Sequence, residues 1–161
     1  MSNQFLQLIE KRRSIYAIGK NVEQTPTYLT DLIQNAIKQS PSSFNSQSSR
    51  AVILFNAEHE KFWDLVKAQL KAYAKDAESA AKTDAKIDSF AAGLGTVLFF
   101  EDQEVVAGLQ ANFPSYADNF PIWSEHSTAI AQFATWTALS IEGLGASLQH
   151  YNPQIDTLVA E

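Results

Sequence analysis

Apolar side chains recur along this chain with two spacings, and the spacings divide it into helices and strands. Phe5, Leu6, Leu8 and Ile9 repeat every three to four positions, which predicts a short first helix. Thr25-Pro26 opens a second helix over about 27–39, with Leu29, Leu32, Ile33, Ala36 and Ile37 on one face. Residues 51–55 (AVILF) are apolar without alternation and predict a strand covered on both sides. A turn at 56–59 and a long helix from about Glu60 follow, with Phe62, Leu65, Val66, Leu70 and Tyr73 on its inner face. The Ala-rich stretch 74–86 predicts further surface helix, and residues 96–100 (TVLFF) a second strand.

The last third is patterned differently. A short helix is predicted from Glu101 through Leu109, with Glu101, Asp102 and Glu104 together at its N-terminus, where carboxylates suit the helix dipole. Residues 112–123 carry two prolines and several rings and predict an irregular connection able to cover a planar ligand or a partner. Ser127 is the expected N-cap of a helix running to Ile141. That helix is apolar nearly all round, the pattern of an element buried within a domain or between two subunits. Gly143 is the expected stop.

Composition narrows the class. With 161 residues, 45% of them hydrophobic, the chain is expected to form one domain over 1–161 with a substantial core. No apolar run approaches the roughly 20 residues of a membrane span, and the polar start does not read as a signal peptide. The absence of cysteine excludes disulfides, thiol redox chemistry and Cys-ligated metals. A cytoplasmic protein with no membrane attachment is the expectation. The net charge of −6 argues against general nucleic-acid binding. All 12 basic residues lie at or before Lys86, so an anionic ligand must be held by the first half, by backbone amides or by another chain.

Two stretches carry candidate chemistry. Residues 40–47 (SPSSFNSQ) gather four serine hydroxyls, one Asn amide and one Gln amide around a proline, with no charge. Such a loop suits a flat, neutral, heteroatom-rich ligand, and equally a plain helix stop. Lys11-Arg12-Arg13-Ser14 sets three cations beside a hydroxyl, which can grip a phosphate, or simply complement a helix C-terminus. His59, His126 and His150 are isolated and lack metal-ligand spacing. Gly93-Leu94-Gly95 precedes a strand, whereas a dinucleotide-binding glycine motif must follow one, and no GxSxG elbow exists.

In order and spacing, Arg12-Arg13-Ser14, the SPSSFNSQ loop before a strand, and Gly143-Leu144-Gly145 closing an apolar helix resemble the FMN-dependent nitroreductase family. Residues 96–102, 119–123 and 143–153 resemble its branch named for fatty-acid repression mutants. The resemblance runs from about Ile9 to the last residue. It implies an α+β fold, a central antiparallel or mixed sheet flanked by helices, and a homodimer with FMN at two subunit-interface sites. Arg12 would then bind the FMN phosphate and Ser14 its ribityl or phosphate side, with Arg13 and Tyr16 as adjacent candidates. Pro41, Ser42, Ser43, Asn45 and Gln47 would meet the flavin from the other subunit, and Leu148, Gln149 and His150 would pass along the ring. The implied activity is electron transfer from NADH or NADPH through FMN to a nitroaromatic or quinone, in a ping-pong cycle. The alternative is a flavin-binding regulator of lipid or redox metabolism with little turnover. Family members usually continue into a basic C-terminal segment that helps hold the phosphate, so further strand, helix and basic sequence is expected after Glu161.

Overall fold

The computed structural model describes residues 3–160. In chain order the elements are α1 (Gln4–Lys11), α2 (Pro26–Lys38), β1 (Ser49–Phe55), α3 (Asn56–Leu70), α4 (Ala77–Ala91), β2 (Gly95–Glu101), α5 (Gln103–Asn112), α6 (Phe120–Ile141) and α7 (Asp156–Ala160). β1 and β2 form a two-stranded sheet. Its register is fixed where the Asp102 N–H donates to the Ser48 carbonyl at 2.9 Å, so β1's start faces β2's end and the pair is antiparallel. The fold is α+β, with helices flanking this small sheet, as the resemblance implies.

Local chemistry accounts for most boundaries. Asn3 caps α1, its Oδ1 accepting the Phe5 N–H at 2.9 Å. Thr25 caps α2 ahead of Pro26, whose missing N–H costs nothing in a first turn. Asp76 and Ser79 form a reciprocal capping box on α4. Gly143 adopts φ +78 and ends α6. The Leu144 N–H returns to Leu139 O and the Gly143 N–H to Ser140 O, which satisfies two carbonyls of the last turn.

The chain divides into two compact units. One comprises the chain up to Arg12, Gln24–Ile53 and Val97–Leu144. Its core is Leu29 and Ile33 of α2, Val106 of α5, and Phe120 and Ala131 of α6. α1, α2 and α5 all pack on α6. The other comprises Arg13–Glu23, Leu54–Thr96 and the chain from Gly145 on. There α3 packs on α4, burying Phe62, Trp63, Val66, Ile87 and Phe90. Removing each such side chain from water contributes about 1.5–3 kcal/mol. His59 is buried in this unit, with Nε2 3.0 Å from Ala91 O and Nδ1 2.8 Å from Thr96 Oγ1. A carbonyl only accepts, so Nε2 carries the proton and Thr96 donates to Nδ1. Thr96 in turn accepts from Trp63 Nε1 at 2.9 Å.

Several expected boundaries differ. Residues 56–59 form the first turn of α3 rather than a connection, although Asn56 enters it at φ +52. Leu65 and Tyr73 are exposed, because the inner face runs through His59, Phe62, Trp63 and Val66. The helix expected over 74–86 runs further, α4 ending at Ala91 with Ile87 buried inside it. Residues 114–119 are a 3-10 turn, and α6 begins at Phe120. Pro121 fits there because it stands in the first turn. Ser127 is therefore interior to α6 and caps nothing; its hydroxyl donates back to Trp123 O at 2.8 Å.

Candidate functional site

The 40–47 loop is held in a backbone shape its side chains do not favour. Phe44, Asn45 and Gln47 have φ of +56, +51 and +50. Asn tolerates the left-handed region, whereas Phe and Gln are strained there by about 1–2 kcal/mol each. Hydrogen bonds offset the strain. Asn45 and Ser46 N–H return to Ser42 and Ser43 carbonyls at 2.9 and 3.1 Å. The Gln47 N–H donates to Ser42 Oγ at 2.9 Å, and Gln47 Nε2 to Asn45 Oδ1 at 3.1 Å. Ser43 N–H donates to Ser127 Oγ at 3.3 Å, tying the loop to α6.

Two carboxylates at the end of β2 brace the loop's exit. Arg50 donates to Gln47 O at 2.7 Å through Nη1 and to Asp102 at 2.8 Å through Nη2. Asp102 also caps α5, accepting the Glu104 and Val105 N–H groups. Glu101, expected at that helix start, is instead the last residue of β2 and half-buried. It accepts from fully buried Ser48 at 2.7 Å and from Thr128 of α6. Thr128 spends its proton on the carboxylate, so Ser49 must donate to Thr128. Burial is the main cause that lifts the Glu101 carboxyl above its ordinary value, and nearby Glu125 adds to it. Hydrogen bonds from Ser48 and Ser124 and the Arg50 charge work the other way.

Along the loop, in the same unit, runs a cleft of about 280 Å³. Its polar wall includes Gln34, Lys38, Ser42, Gln47 and Arg50, and its apolar side Ile37, Ile53 and Ala131. Arg12 belongs to this unit too. Its backbone caps the end of α1, and its guanidinium lies 4.0 Å above the Trp136 ring. Its Nε is buried with no hydrogen-bond partner among the described residues. A buried orphan donor costs about 1–3 kcal/mol, and an anion accepting from it removes that cost. By this test Arg12 fits a phosphate.

The expected site residues thus fall into two groups. Arg12, Pro41, Ser42, Ser43, Asn45 and Gln47 lie in the first unit; Arg13, Ser14, Tyr16, Leu148, Gln149 and His150 lie in the second. Within the second, a parallel bridge joins Ser14 to Ala146, and the Ile15 N–H donates to Ala146 O at 3.0 Å. The approach is close: a Cβ on Gly145 would stand 2.7 Å from an Ile15 methyl. The bridge sets the Arg13–Tyr16 stretch beside the segment leading to Leu148, where Gln149 Nε2 donates to Ser147 Oγ at 3.1 Å. Leu148 and His150 are exposed. Sequence reasoning missed Arg50, Glu101 and Trp136. The signal for Arg50 was its place as the lone cation between Lys38 and Lys61; the other two depend on strand register and on helix packing.

The family described as "Nitroreductase family" matches residues 9–161. HBN1 of Saccharomyces cerevisiae is 39% identical over 153 residues, 94% of this chain and 76% of that protein. Nitroreductase FRM2 of the same yeast is 34% identical over 161 residues, 98% of this chain and 79% of that protein. Nitroreductase CinD from Lactococcus lactis in complex with nicotinic acid superposes with a TM-score of 0.89 at 48% identity, covering 98% and 79% of the two chains. Structures of CinD in complex with chloramphenicol and with 4-nitrophenol match at 0.87.

The Glu101 network makes a pH-dependent contribution. A carboxyl raised in the folded state stabilises the fold fully below its ordinary value, here 4.5, and loses that contribution as pH rises through the raised value. Glu101→Gln does not titrate. Its stability relative to the unmutated chain should therefore climb from acid pH across this window and level off above it. Urea unfolding at a series of pH values checks this; a pH-independent difference would mean that Glu101 titrates as it does in the unfolded chain.

Proposed function

Since this chain belongs to the nitroreductase family, in the branch of FRM2, and is an oxidoreductase of that type, we propose that it binds FMN and reduces nitroaromatic or quinone acceptors with NADH or NADPH. The observation that carries the reading is the orphaned Nε of Arg12, in one unit with a rigid, uncharged loop. Bound FMN would supply the electron relay between nicotinamide and acceptor, in a ping-pong cycle, so no protein nucleophile is required. Arg12 would hold the phosphate, its planar fork steadied on Trp136. Arg13, Ser14 and Tyr16 would add donors on the phosphate and ribityl side. Gln47 Nε2 and Asn45 Oδ1 satisfy each other, which leaves Asn45 Nδ2 as a donor and Gln47 Oε1 as an acceptor. That pair suits the heteroatom edge of a flavin, with Pro41, Ser42 and Ser43 beside it. Leu148, Gln149 and His150 would run along the ring. The aromatic ligands named in the CinD structures favour a nitroaromatic acceptor.

The site is proposed to be completed by a second copy of the chain, in a cytoplasmic homodimer. α6 supports this: Ile122, Ile130 and Ile141 are 54, 43 and 56% exposed on a helix that is otherwise a packing centre. No helix among the described residues is long and apolar enough to cross a membrane.

Two experiments test the proposal. Titrating FMN into the apo-protein and its variants should show Arg12→Ala weakening binding more than Asn45→Ala. A charge-assisted bond to phosphate contributes about 1.5–3 kcal/mol and a neutral one about 0.5–1.5. Equal losses would reduce Arg12 to a helix end, and failure of the unmutated chain to take up FMN would end the reading. Sedimentation at micromolar concentration should find a dimer that Ile130→Lys converts to monomer or aggregate; a well-folded monomer without the substitution contradicts it.

A further inference from the structure

Phe44 is the only ring in the 40–47 loop, and it holds a left-handed backbone that phenylalanine seldom adopts. Its ring joins four others of the same unit. The centroids of Phe113 and Phe120 lie 5.0 and 5.1 Å away, and Trp123 is stacked at 5.9 Å with planes 16° apart. Tyr116 lies at 6.0 Å from both Phe44 and Trp123. Phe120, 2% exposed, meets Phe44 and Trp123 edge-on and fixes them from below. Yet Phe44, Phe113 and Tyr116 remain 49, 41 and 48% exposed. The cluster is rigid beneath and open above. It is continuous in sequence with Asn45 and Gln47, the residues read above as meeting the flavin edge.

We propose that Phe44, Phe113 and Tyr116 form a stacking wall that selects planar aromatic electron acceptors, with Phe44 as its specificity-determining residue. The inference rests on the FMN reading above. Three half-exposed rings offer faces and edges at spacings where a further ring can stack or meet them edge-on, a gain beyond area burial that a saturated ring cannot make. A nitro group withdraws density from its ring, and an electron-poor face complements the negative faces of Phe and Tyr. Tyr116 is half-exposed, and a phenolic hydroxyl can donate to a nitro oxygen. Phe44 reaches the cluster only because Ser42, Asn45 and Gln47 hold the loop in its strained form. The loop thereby couples acceptor choice to the polar residues that would face the flavin.

Equilibrium dialysis of the purified protein against nitrobenzene and nitrocyclohexane tests the wall, because the two share a nitro group and differ in the ring. Flavin content is read from the absorption spectrum of the same samples. The unmutated protein should bind nitrobenzene about fivefold more tightly, the order of an aromatic pair. Phe44→Leu should bring the ratio near one and raise the KM for nitrobenzene more than it lowers kcat. Tyr116→Leu, which leaves the strained position alone, should also lower the ratio. A ratio near one in the unmutated protein, or one unchanged in both variants, overturns the inference. So does a Tyr116→Leu chain that becomes monomeric with its ring preference intact, since the patch would then be a subunit contact. A protein with no flavin and a normal ring preference would overturn the FMN reading and leave the wall standing.

Discussion

The candidate site depends on a backbone constraint: Phe44, Asn45 and Gln47 must hold left-handed conformations that Phe and Gln resist. Hydrogen bonds inside the loop hold them there together with contacts from outside it. Ser127 reaches in from α6, Arg50 from β1, and the rings of Phe113, Phe120 and Trp123 from the α5–α6 corner. Each is rigid because its own element is packed, and α6 is where α1, α2 and α5 converge. The serine-rich sequence is thus less a flexible connection than a shape imposed by its surroundings. Its unused amide atoms and its ring are fixed by the same bonds.

Charge is arranged around this shape economically. Two cations near the loop are held by contact: Arg50 by Asp102 and Gln47, Arg12 by the face of Trp136. The residues after Lys86 carry nine carboxylates and no cation. Asp102 is used twice, as cap and as ion-pair partner, while Glu101 is wrapped in hydroxyls. An acidic half that braces the loop while a basic half supplies its cations explains how an anionic ligand and a net charge of −6 are compatible; screening limits the reach of the more distant charges.

Much of this was legible in sequence, and the failures have physical causes. α1, α2, β1, β2 and the Gly143 stop follow from local periodicity and from residues with a single conformational use. The uncharged loop and the Arg12-Arg13-Ser14 stretch were legible as chemistry because their residue types are specific. The start of α6 was not, since Pro121 reads as a breaker unless its place in a first turn is known. Glu101 was misplaced by a single position, and that position decides between a solvated helix start and a half-buried brace paired across the sheet with Ser48. Trp136 beneath Arg12 is a contact between α6 and the end of α1, and no local pattern announces it. The left-handed φ of Phe44 contradicts its propensity, which is where local rules and the packed structure part.

The central claim is that the strained loop and Arg12 together receive FMN. A crystal structure of the protein grown with FMN tests it most directly. The account predicts density for the flavin edge within hydrogen-bonding distance of Asn45 or Gln47, and for the phosphate at the buried Nε side of Arg12, with Phe44, Asn45 and Gln47 still left-handed. FMN bound elsewhere, or a loop that relaxes to ordinary backbone angles while Arg12 stays unpaired, would contradict it.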